Sequence, residues 1–184
     1  MRSMYTYIEQ APAIARDIIA HREALVGPLV EQFCGMAPKR LLIVASGSSY
    51  DIAMSMRPFM QQTLGIEVSV EWPMSYILYN HAQNDETFVL CMSQSGRSTN
   101  TIEAVRRAQA CGHHVAVLTC NPDAPMREYC EHVYAYGSGT EDYYVAKGFP
   151  TSCIYLALFA IEAARALDVR GADDCAALLS DVSA

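Results

Sequence analysis

The stretch FVLCMSQSGRSTNTIEAVRRAQACG, Phe88 to Gly112, carries the decision about the fold. It opens as an unbroken apolar strand, passes through seven small polar, glycine and arginine residues from Ser93 to Thr99, and runs straight into a helix. A continuously apolar strand is one buried on both faces, as in a parallel sheet with helices packed on either side.

The same pairing recurs along the chain. LLIVASGSS (41–49) is an apolar strand ending in small polar residues, and YDIAMSMRPFMQQTLG (50–65) reads as a helix closed by Gly65. IEVSVEW (66–72) is a strand and PMSYILYN (73–80) a short helix. HHVAVLTC (113–120), a short helix near APMREYC (124–130) and HVYAYGSG (132–139) continue the alternation. Five strands, apolar on both faces and alternating with helices, predict an α/β fold: a doubly wound five-stranded parallel sheet with helices on both sides.

Amino-terminal helices precede the sheet, because Ile14, Ile18, Leu25, Leu29 and Phe33 recur at helical spacing. Pro12 suits a first helical turn, and Gly27-Pro28 is expected to kink or split the element. After the last strand comes an apolar helix, FPTSCIYLALFAIEAARAL (149–167), whose Ile154, Leu158, Ile161 and Ala164 face needs the sheet or another subunit as its partner. The tail ADDCAALLSDVSA (172–184) reads as a helix that stops almost as soon as it starts. The expected division is 1–38 as the helical segment, 39–170 as the α/β domain, and 171–184 as the start of a linker or of a truncated second half.

With 184 residues, 52% of them apolar, the chain can bury one ordinary core. A formal net charge of -7 speaks against nucleic acid or an anionic membrane as partner, so any bound anion must be held locally. No apolar run approaches a membrane span or a signal-peptide core, which makes the cytoplasm the default address. The seven cysteines lack a C-x-x-C pair, and the five histidines lack H-x-x-x-H or H-E-x-x-H spacing. They read as reduced thiols and solvated turn histidines, His113-His114 included, with neither a metal nor a cofactor expected.

In an open α/β sheet, ligands bind outside the carboxyl ends of the strands where strand order reverses. For a flavodoxin-like order that point lies between the first and third strands. The two most polar strand exits, Ser46-Gly47-Ser48-Ser49 and Ser93-Gln94-Ser95-Gly96-Arg97-Ser98-Thr99, follow those two strands. Each opens a helix, so unpaired amides and hydroxyls converge and can hold a phosphate without lysine. Neither G-x-G-x-x-G nor G-x-x-x-x-G-K-[ST] is present, and Glu71 reads as a polar strand terminus rather than a ribose ligand.

Three motifs in order resemble the sugar isomerase (SIS) domain family, closest to the first half of the isomerase part of glucosamine-fructose-6-phosphate aminotransferase and its deglycase-like relatives. ASGSSYDIA (45–53) resembles the Gly-Thr-Ser loop after the family's first strand, SQSGRSTNTIEA (93–104) its S-x-S-G-x-T phosphate loop, and GSGTEDYYVAKGFPT (137–151) its G-T-E…V-A…K-A-F segment. The resemblance implies that Ser93, Gln94, Ser95 and Ser98 ring a phosphate, with Ser98 where the family usually has threonine. It further implies that Gly47, Ser48 and Ser49 contact the sugar and its phosphate, and that Val145 and Ala146 line the sugar chain with backbone groups. Glu141 and Lys147 are weak candidates for an acid/base pair.

In this family the base that moves a proton between C1 and C2 comes from a second SIS domain or a neighbouring subunit. The implied function is therefore the phosphosugar-binding first half of an isomerase, deglycase or aminotransferase-like enzyme, whose base this chain does not supply. One alternative is a complete single-SIS isomerase active only as a homo-oligomer, with Glu141, His81 or Glu71 as candidate bases. The other is a non-catalytic sensor of sugar phosphates.

Overall fold

The computed structural model describes residues 3–79, 86–140 and 145–184. Two helices come first, α1 (Met4–Ala20) and α2 (Arg22–Met36). The sheet then alternates with helices: β1 (Arg40–Ala45), α3 (Ser48–Leu64), β2 (Glu67–Glu71), α4 (Pro73–Leu78), β3 (Thr87–Met92), α5 (Thr99–Ala110), β4 (His114–Thr119), a 3-10 turn (Pro125–Glu128) and β5 (Val133–Ala135). Helices α6 (Gly148–Ala166) and α7 (Ala172–Ser183) complete the described chain.

All strand pairs are parallel and the order is β2-β1-β3-β4-β5, so the chain reverses its direction of growth between β1 and β3. This is the doubly wound sheet the alternation predicts. Helices α2, α3 and α6 cover one face of the sheet, sharing a core with Leu41, Ile43, Phe88 and Leu90, and α1 packs on α6; α4 and α5 cover the other face, sharing a core with Leu42, Val44, Val89 and Cys91. Successive residues of one strand thus enter opposite layers, and β1, β3 and β4 read as continuous apolar runs for that reason.

The expectation that all five strands are apolar on both faces holds only for these central three. The edge strand β2 is partly exposed along most of its length, and β5 is half-buried over its three residues. An edge strand has a neighbour on one side alone, so less of its surface is covered.

The amino-terminal helices break at His21, not at Gly27-Pro28. Ser3 caps α1 by accepting from the Thr6 amide, which puts Pro12 in mid-helix rather than in the first turn. Pro28 likewise lies inside α2, where packing of Val26, Leu29, Val30 and Phe33 outweighs the missing amide bond. Phe33 makes edge contacts with both Phe88 of the sheet and Phe159 of α6, centroids 5.3 and 5.2 Å away.

Most of the expected α6 face is covered within the chain, Ile154 being half-buried. Leu158, Ile161 and Ala164 are wholly buried, and α1, α2, α3 and α7 of the same chain pack around it. Its one buried carboxylate, Glu162, is met by the Arg22 guanidinium at 3.2 Å and by Arg165. The tail forms a fuller helix than its sequence led us to expect: α7 packs on α6 through Cys175. No helix among the described residues is long and apolar enough to cross a membrane.

Candidate functional site

Register brings the two polar strand exits side by side. Ala45 is paired with Met92, so Ser46 and Ser93 leave the sheet at the same level on adjacent strands. The result is a concave pocket of about 210 Å³ at the carboxyl edge of the sheet, lined by Met92 and by hydroxyl, amide and backbone groups of Ser46–Ser49, Ser93–Ser95 and Ser98. No described lysine, arginine or histidine lines it.

One wall is the start of α3. Gly47 holds φ 56° and ψ -138°, a conformation closed to residues with a side chain, and its carbonyl accepts the amides of Tyr50 and Asp51. The Ser48 and Ser49 amides precede the first intrahelical bond, so they carry the positive end of the helix dipole into the pocket. Ser49 itself is buried.

The other wall is the loop into α5. A turn closes when the Gly96 amide donates to the Ser93 carbonyl at 3.1 Å, with Gly96 at φ 64°. A Cβ at Gly96 would lie 2.5 Å from the Ala124 Cβ, so glycine is required by both conformation and space. Ser98 caps α5: its oxygen accepts from the Thr101 amide at 3.4 Å and from the Thr101 hydroxyl at 2.9 Å. With its lone pairs so engaged, Ser98 has a hydroxyl proton left to offer. Ser95 resembles it, accepting from the Arg97 amide at 3.3 Å.

The pocket is therefore a convergence of neutral donors and two helix starts. It suits an anion with several oxygens. The buried thiol of β3, Cys91, is pushed far above its ordinary range by burial.

Of the residues singled out from sequence, Gly47, Ser48, Ser49, Ser93, Gln94, Ser95 and Ser98 all line this pocket; Val145 and Ala146 do not. They form the entry to α6, Val145 with φ 57°, where Phe149 donates to its carbonyl. Lys147, a weak acid/base candidate, is buried. It is 5% exposed, with its ammonium over the Tyr7 ring at 5.3 Å. Glu141 and His81 lie outside the described residues. Glu71 ends β2.

The turn histidines divide: His114 is exposed, whereas both ring nitrogens of His113 are buried without a hydrogen-bond partner, because the ring is tucked against Tyr76 with centroids 6.4 Å apart. No described group of His, Cys, Asp or Glu has an arrangement that would hold a metal. Sequence reasoning passed over Thr101 and Thr119, both fully buried and both bonded to the loop. The S-x-x-T spacing of Ser98 and Thr101 was a readable signal; Thr119 is brought in by the β3-β4 pairing and had none.

Residues 37–166 match the family described as the SIS domain. The chain is 27% identical over 138 residues to the isomerizing glutamine–fructose-6-phosphate aminotransferase of Methanothermobacter thermautotrophicus, an alignment covering 75% of this chain and 23% of that protein. Its fold is similar to the C-terminal domain of glucosamine-fructose-6-phosphate aminotransferase from Francisella tularensis, with a TM-score of 0.83 at 19% identity, covering 97% of this chain and 52% of that one. It also resembles a ligand complex of E. coli CFT073 c3406, with a TM-score of 0.74 at 11% identity, covering 93% of this chain and 92% of that one. The chain thus spans about half of the aminotransferase domain and under a quarter of the curated relative.

Proposed function

The chain belongs to the SIS domain family, and from that premise we propose that it binds a sugar phosphate as the first half of a phosphosugar isomerase, deglycase or aminotransferase-like enzyme. The observation that carries this reading is the meeting of two serine-rich strand exits, each opening a helix, in one pocket that no described cation lines. A phosphate there receives hydroxyl protons from Ser93, Ser95 and Ser98 and amides from the first turns of α3 and α5.

The pocket anchors; it does not react. Holding the phosphate fixes the far end of an open-chain sugar, so that C1 and C2 are presented to a base in a defined orientation. Proton transfer between those carbons needs a group with a pKa near neutrality, and among the described residues the pocket lining is serine, glycine, methionine and glutamine. The base then comes from a second SIS unit, either on the same polypeptide or on a neighbouring copy. Spanning about half of the aminotransferase domain supports the first source, and spanning 92% of c3406 supports the second.

Thermal unfolding tests the reading. Hexose 6-phosphates and amino-sugar 6-phosphates are expected to raise the melting temperature while the unphosphorylated sugars leave it unchanged. Equal effects from both, or none from either, would remove the phosphate anchor from the account.

A further inference from the structure

The floor beneath the loop is as ordered as the loop. Thr119, the last residue of β4, is 0% exposed and does not line the pocket. Its hydroxyl donates to the Gln94 carbonyl at 3.0 Å and accepts from the Asn121 amide at 3.2 Å. The same carbonyl also receives the Cys120 amide at 3.0 Å and the Cys120 thiol at 2.8 Å. Three donors converge on this carbonyl and share its two lone pairs, and the Thr119 hydroxyl is the one that also ties it to the Asn121 turn.

The rest of the loop is held from the same side. Ser93 donates its amide to the Leu118 carbonyl at 3.1 Å, and Gly96 accepts from the Met126 amide at 3.2 Å. Gly96 packs so closely that a Cβ there would sit 3.1 Å from the Thr119 hydroxyl. The Thr119 carbonyl, meanwhile, accepts from Tyr136 at 3.1 Å, joining this floor to the exit of β5.

We infer that Thr119 is a positioning residue for the anion-binding loop: its hydroxyl, seconded by the Cys120 thiol, fixes the Gln94 peptide and so aims the donors of Ser93 to Ser98 into the pocket. The inference rests on the phosphate reading for its effect on ligand, but not for its effect on the loop. A hydroxyl whose only task was to close the Thr119–Asn121 turn would stabilise that turn and leave the pocket indifferent to its loss. Here the same oxygen ties the turn to the loop, and preorganised donors are worth more to a bound anion than mobile ones.

Thr119→Val keeps the shape and removes the hydroxyl; Thr119→Ser keeps the hydroxyl and removes a methyl. In the full chain, calorimetric titration with a hexose 6-phosphate is expected to show about tenfold weaker binding for Thr119→Val and recovery to within about twofold for Thr119→Ser. Without ligand, amide exchange across residues 93–99 is expected to quicken about tenfold in Thr119→Val, with the central strands unchanged. Should Thr119→Val fail to fold, Cys120→Ala tests the same carbonyl, with about threefold effects in both readouts. Wild-type exchange rates at 93–99 in Thr119→Val, or in Cys120→Ala where it replaces that variant, overturn the inference. So does a Thr119→Ser protein that binds as poorly as Thr119→Val. If the wild type binds no sugar phosphate, the phosphate reading fails, and the exchange measurement alone decides the role of Thr119.

Discussion

Two hollows at opposite edges of the sheet differ in what they can hold, and the roomier of this pair is at the wrong end for an anion. At the carboxyl edge lies the pocket of about 210 Å³ between the β1 and β3 exits. At the amino edge, beside the starts of β4 and β5, lies one of about 460 Å³ lined by Gln109, His113, Arg127, Glu128, Glu131 and His132, among others. A parallel sheet wound with helices sends helix amino ends to its carboxyl edge and helix carboxyl ends to the other. The small pocket therefore meets the starts of α3 and α5, whereas the large one meets the end of α5. Its arginine and glutamates are of mixed sign, and the His113 ring nitrogens are turned away from solvent. Backbone polarity, more than volume, separates the two.

The largest test of that contrast pits one edge against the other. Ser93→Ala combined with Ser95→Ala is expected to weaken hexose 6-phosphate binding at least roughly a hundredfold, two charge-assisted bonds being lost. His113→Ala combined with Arg127→Ala at the opposite edge is expected to change it less than about twofold, both measured by calorimetry on folded protein. Equal losses from the two pairs would erase the distinction.

Next in size is Gly96→Ala. With φ 64° and a Cβ position 2.5 Å from Ala124, it is expected to cost about 1–3 kcal/mol in denaturant unfolding and to weaken ligand binding too. Adding Ala124→Gly relieves the contact but not the backbone strain, and should restore part of the stability. Full restoration would mean that conformation at this glycine matters less than space.

Smaller again is the cap of α5. Ser98→Ala removes both a helix cap and a donor, and is expected to lower stability by about 1 kcal/mol and affinity by several-fold. Ser98→Thr keeps both functions and is expected to resemble the wild type in the two assays. A Ser98→Ala protein with lower stability and intact affinity would reduce Ser98 to a cap.

Much of this was legible in the sequence because it is local or periodic. The apolar runs of β1, β3 and β4, the serine-rich exits of β1 and β3 and the helices that follow them are consecutive residues, and their alternation gave the parallel doubly wound sheet, its order being taken as flavodoxin-like. What escaped depended on contacts distant in sequence. Ser3 starts α1 well before the proline taken as a helix start, and packing of α2 on the sheet tolerates Pro28. The cover of α6 within the chain requires knowing that α1, α2, α3 and α7 all reach it. Thr119 looks like any strand-ending threonine until the β3-β4 pairing sets it beneath Gln94. Lys147, a weak acid/base candidate in the sequence, gives no sign there of its burial against Tyr7 of α1.

The central claim is that the carboxyl-edge pocket holds the phosphate of a sugar by neutral donors and helix starts. Backbone-amide NMR during titration with a hexose 6-phosphate tests it most directly. The account predicts that the amides of Ser48, Ser49, Ser95, Thr99 and Asn100 shift together along one saturating curve, while those of His113, Arg127 and Glu131 stay still. Saturating shifts confined to the amino-edge hollow, or none at the β1 and β3 exits, would contradict it.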